Sequence, residues 1–128
     1  VVVGPDVGTA SAVKMCTASV YKGMVGLFAQ AMRAANHYGV LEPVLADLAT
    51  GGHDPTAAVA VAVTKAERFV PEMYAISATQ AAAGLSASLF EAFAEVYEQL
   101  AATELASADP ESVDRRMSPD ELLARLAR

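Results

Sequence analysis

Residues 9–38 read TASAVKMCTASVYKGMVGLFAQAMRAANHY and contain no proline. Apolar side chains recur at helical spacing through Val13, Val20, Met24, Leu27, Phe28, Ala31, Ala35 and Tyr38, and Gly39 then supplies a left-handed stop. The spacing predicts one helix of about 45 Å. A compact domain of 128 residues has a radius of gyration near ~14 Å and is about 35 Å across. The helix overshoots its own domain. Its excess must be covered by another domain or by a second copy of the chain, unless a kink at Gly23 or Gly26 shortens it.

Upstream, Val1-Val2-Val3-Gly4-Pro5 reads either as the end of a buried strand entering a turn or as a disordered terminus. As a strand it lacks a partner downstream, and would be the remnant of a sheet that precedes this chain. The expected division is therefore 1–8 as linker or strand remnant and 9–128 as a helical domain.

Downstream, a short helix is expected over Glu42–Ala49, with Pro43 in its first turn. Gly51-Gly52-His53 reads as a turn, and Asp54-Pro55 as an N-cap with proline at the first helical position. Residues 58–63 alternate Ala and Val, but the alanines and the following Lys65-Ala66-Glu67-Arg68 favour helix. Pro71 should end or kink that helix, Glu72–Ala83 should continue it to Gly84, and Ser86 or Ser88 should start the next. Residues 103–117 read as a polar loop, and Ser118-Pro119-Asp120-Glu121 as a capping box for a last short helix. The class is all-α and multi-helical.

Composition narrows the function. With 54% hydrophobic residues, among them 28 Ala, 15 Val and 11 Leu, the chain is not intrinsically disordered. One cysteine excludes a disulfide scaffold. Nine basic against 15 acidic residues, with only three lysines, argue against a nucleic-acid partner. The uncharged run Met73–Phe90 approaches membrane-span length but holds Ser77, Thr79, Gln80, Gly84, Ser86 and Ser88. It reads as two soluble helices meeting at Gly84, so no membrane partner is expected. No charged-then-apolar leader is visible, and the expected compartment is the cytoplasm.

Metal chemistry is not expected, because Cys16, His37 and His53 match no ligand spacing. His37 suits a helix C-terminus, and Cys16 reads as a small buried hydrophobe on the stripe of Val13 and Val20. Gly4-Pro5-Asp6-Val7-Gly8 has the wrong spacing for a dinucleotide fingerprint. The informative stretch is Gly8-Thr9-Ala10-Ser11-Ala12-Val13-Lys14-Met15-Cys16. Positions 10, 11, 14, 17, 18 and 21 share one helical face: small groups and hydroxyls around a single cation. Desolvation in such surroundings suits a lysine to proton transfer. The same pattern also fits a lysine snorkelling from a packed helix to solvent.

Gly8-x-Ala10-Ser11-Ala12-x-Lys14-Met15, Tyr21-Lys22-Gly23 and Tyr38-Gly39-Val40 resemble the C-terminal domain of NAD-binding phosphogluconate dehydrogenase-like proteins, relatives of the β-hydroxyacid dehydrogenases. Arg68-Phe69-Val70-Pro71-Glu72-Met73, Ile76 and Ala83-Gly84 resemble the same family's second half, so the likeness spans roughly residues 4–100. The resemblance implies an all-helical domain with a long interdomain helix, a homodimer built through helices, and an N-terminal Rossmann domain. That other domain would bind NAD or NADP, with no cofactor-binding residues in this chain. It further implies a dehydrogenase or reductase acting on a small-molecule substrate, a hydride moving to or from its carbon. Lys14 matches the family's general acid/base.

Ser11, Thr17, Tyr21 and Lys22 make up the expected substrate-binding set, with Lys22 as an anion contact or a solvated lysine. Two departures stand out: Ala10 replaces a frequent glycine, and Thr17-Ala18 replaces a frequent Asn pair. Arg68 and Glu72, one turn apart, are expected to pair across Pro71. The rival class is a stand-alone, non-enzymatic helical dimerisation or interaction module, in which the small-residue face serves only helix packing.

Overall fold

The computed structural model describes residues 7–128. The proposed strand end at Val1–Val3 lies outside the described residues. Six α-helices follow one another: α1 (Val7–His37), α2 (Leu41–Thr50), α3 (Thr56–Val63), α4 (Ala66–Ala82), α5 (Ser88–Ala101) and α6 (Pro119–Leu126), with a 3-10 turn at Glu104–Ser107. The described residues contain no strand, and the all-α expectation holds.

α1 starts two residues before Thr9 and is unbroken through Gly23 and Gly26. It ends as its sequence predicts. Gly39 takes φ +71, while the N–H groups of Val40 and Gly39 donate to the carbonyls of Ala35 (2.9 Å) and Asn36 (3.2 Å). Gly84, at φ +80, closes α4 in the same way. The apolar run from Met73 is thereby split into two helices, and among the described residues no helix is long and apolar enough to cross a membrane.

Three boundaries differ from expectation. Helix α3 begins at Thr56 and Pro55 occupies its cap position without a side-chain bond, so Asp54 caps nothing there. The break between α3 and α4 falls at Thr64–Lys65 instead of Pro71. There the Thr64 hydroxyl donates back to the Val61 carbonyl at 2.6 Å, offering the backbone an alternative to continuing the helix. Pro71 is tolerated inside α4 because the carbonyl it leaves without an N–H partner, that of Glu67, is on an exposed residue. Residues 103–117 are not merely a polar loop. Leu105, Val113 and Met117 are buried and close one end of the core. The Ser118 cap forms as expected, accepting from the Glu121 N–H at 3.1 Å.

The core joins Ala29 and Met32 of α1 to Val59 and Val63 of α3, Met73 and Ile76 of α4, Ala94, Tyr97 and Leu100 of α5, and Leu122 of α6. α4 and α5 lie antiparallel, with Phe69 and Tyr97 edge to face at 5.4 Å. Against this hairpin α1 presents its smallest face. A Cβ added at Gly26 would sit 3.0 Å from Phe93 and 3.4 Å from Tyr97. Burial therefore follows Gly23, Gly26, Ala29 and Met32, whereas the larger Val13, Val20, Met24 and Leu27 are exposed. Cys16, expected to be buried with that stripe, is exposed as well. Gly8 through Lys14 are all exposed, so the first two turns of α1 run beyond the core of their own chain.

Candidate functional site

Helices α1 and α4 enclose a groove of about 230 Å³, lined by Ser11, Lys14, Met15, Ala18 and Lys22 from α1 and by Glu72, Ala75 and Ile76 from α4. Three- and four-residue spacing puts each set on one helix face. Alanines at positions 18 and 75 keep the middle of the groove wide, and the charged residues stand along its edges.

The structure brings together Ser11, Lys14 and Lys22, and does not bring Thr17 and Tyr21 to them. At 100° per residue the groove face is turned about 60° from the face centred on Lys14. Lys14 is thereby left on the exposed rim, and Thr17 and Tyr21 join Cys16 and Val20 on an open outer surface. The described residues of this chain do not enclose Lys14 as its small neighbours suggest.

Lys22 is not a free surface lysine. Its ammonium pairs with the Glu72 carboxylate, with side-chain exposures of 26% and 39%, and lies 4.6 Å from the Phe69 ring centroid. From below, the Tyr97 hydroxyl donates to the Lys22 backbone carbonyl at 2.6 Å. Burial pushes the Tyr97 phenol well above its ordinary value, Glu72 adds to the rise, and a hydrogen bond from the Gly26 backbone opposes it.

Glu72 is the groove residue that sequence reading misassigns. Its partner is Lys22, fifty residues away, and not Arg68, whose guanidinium lies 5.6 Å from the Phe69 ring. The available signal was Glu72, Ala75 and Ile76 at positions i, i+3 and i+4. His37 and His53 make ring contacts with Tyr38 (4.9 Å) and Phe28 (5.6 Å). Among the described residues no three His, Cys, Asp or Glu side chains gather as a metal site.

The described residues define an all-helical domain with a groove between α1 and α4 that carries three charged side chains. Residues 35–100 match the family described as Domain of unknown function (DUF1932), and the chain belongs to that family. It is the C-terminal domain found in 6-phosphogluconate dehydrogenase-like NAD-binding proteins. The match takes in Arg68–Met73 and Gly84 but begins after the Lys14 stretch. No curated protein and no solved structure matches the chain.

Proposed function

We propose that this chain is the substrate-binding and dimerisation domain of an NAD(P)-dependent oxidoreductase whose cofactor is held by a separate Rossmann domain, with 1–8 as the link and 9–128 as the helical unit. The family context supports the dehydrogenase setting. The observation that carries the site is Lys14 on the rim of the α1–α4 groove with the Ser11 hydroxyl one turn away.

The described residues do not fit a dinucleotide. Such a cofactor needs backbone N–H groups converging at a glycine turn that opens a helix. The left-handed glycines here, Gly39, Gly52 and Gly84, follow the C-terminal ends of helices. In this reading the redox half of the reaction belongs to the other domain. This chain's part is to hold the substrate and move its proton at the Lys14 Nζ.

The other domain or a second copy, resting on the exposed front of α1, supplies the enclosure that Lys14 lacks. Ser11 orients the substrate, and Thr17 and Tyr21 serve whichever surface covers them. The test is Lys14→Met in the full-length protein, assayed on a substrate it accepts. Turnover falls at least about 100-fold, as for loss of a general acid/base, with unchanged thermal stability. Near-wild-type turnover would remove Lys14 from the proton transfer and leave that role to Tyr21, a water or a residue of the other domain.

A further inference from the structure

The groove is lined by three charges, Lys14, Lys22 and Glu72. They sum to a single positive charge. Two of them cancel locally, because Glu72 reaches across from α4 to the Lys22 ammonium. The Phe69 ring, 4.6 Å away, holds that ammonium from another side. Lys14 makes no ion pair among the described residues. The two lysines stand eight positions apart, which places their backbones about 12 Å apart along α1, with Ala18, Ala75 and Ile76 also lining the groove. The groove thus has one available cation, an apolar middle and a neutralised far end. A half-exposed ion pair adds little to stability, so its larger effect is on what the groove attracts.

We propose that Glu72 sets the charge selectivity of this groove: by masking Lys22 it makes the groove a receptor for a small monoanion and turns away dianions. This rests on Lys14 facing the ligand, as proposed above. A monoanion meets Lys14 and lays its carbon skeleton over Ala18 and Ile76. A second anionic group would have to displace Glu72 from Lys22, and would then face an unpaired carboxylate at close range.

The test titrates the full 128-residue chain with butyrate and glutarate, which have similar chain lengths but carry one and two carboxylates. Binding is followed by amide NMR shifts at constant low ionic strength. Wild type binds glutarate no more tightly than butyrate. Glu72→Gln keeps the side chain's shape and unmasks Lys22, so glutarate tightens at least about fivefold and butyrate changes less. Adding Lys22→Met to Glu72→Gln removes that gain. Lys22→Met alone leaves the groove neutral and weakens butyrate. An unchanged preference in Glu72→Gln, a gain that survives in the double variant, or failure of Glu72→Gln to bind glutarate would each overturn the proposal. Lys14→Met separates the underlying reading. If it binds butyrate like wild type, Lys14 is not the ligand's cation, while the Glu72→Gln and Lys22→Met comparison still decides the masking.

Discussion

The hydroxyl of Tyr97 donates to the backbone carbonyl of Lys22 at 2.6 Å, tying the centre of α5 to the turn of α1 that carries the groove's ion pair. Tyr97 is fully buried. Its bond places the one polar atom of a core ring on a carbonyl that lies within the α1 hydrogen-bond ladder.

Removing that hydroxyl should therefore cost stability without opening the fold. Tyr97→Phe is expected to lose about 0.5–1.5 kcal/mol in urea unfolding at neutral pH, the range for one intramolecular hydrogen bond. It should also change the response to alkali. The folded phenol holds its proton above the ordinary value of 10.0. Its contribution to stability is complete below that pH and declines as pH rises through the elevated folded value. Wild type should lose stability faster than Tyr97→Phe above about pH 10. Parallel curves would show that the phenol's burial is not coupled to folding.

The two glycines of α1 should answer alanine differently. At Gly23 the nearest atom to an added Cβ is Phe90 at 3.4 Å, an ordinary contact. Gly23→Ala should gain about 0.5–1 kcal/mol from helix propensity. At Gly26 the Cβ meets Phe93 at 3.0 Å and Tyr97 at 3.4 Å, and Tyr97 has no room to retreat. Gly26→Ala should be less stable than Gly23→Ala by about 1 kcal/mol or more. Equal melting temperatures would show that the rings yield.

Self-association is the third expectation. Val20, Met24 and Leu27 of α1 stand exposed beside Leu89 of α5, and an apolar groove with Phe93 runs between the two helices. Light scattering at micromolar concentration should give the mass of a dimer, with more than about 1,000 Å² buried. Leu27→Asp should shift it to monomer. A wild-type monomer would refute shared helical packing.

Dinucleotide binding gives the fourth. NADH should bind the isolated chain no better than about millimolar, since helix C-terminal ends present carbonyls and negative dipole charge to a pyrophosphate. Micromolar affinity by calorimetry would place a cofactor site within these helices.

What the sequence shows of this fold is its punctuation. Gly39, Gly84 and the Ser118–Glu121 cap mark their helix ends by local backbone chemistry, which needs no knowledge of the tertiary fold. The orientation of α1 was hidden, because it has two apolar faces and bulk favours the wrong one. Gly23 and Gly26 are buried not for their own hydrophobicity but because Phe90, Phe93 and Tyr97 need a flat surface. The same rotation moved Thr17 and Tyr21 off the groove that holds Lys14. Glu72 escaped for another reason. Its local neighbour Arg68 is a plausible partner at i−4, and only the docking of α4 on α1 reveals Lys22.

The groove's two banks differ mechanically. One is α1, an uninterrupted rod anchored at its far end by Ala29 and Met32, with Ser11, Lys14 and Lys22 in fixed register along it. The other is α4, whose hydrogen-bond ladder lacks a rung at Pro71, one residue before Glu72. Ile76 and Met73 hold the rest of α4 in the core, so the missing rung loosens only the turn that carries Glu72.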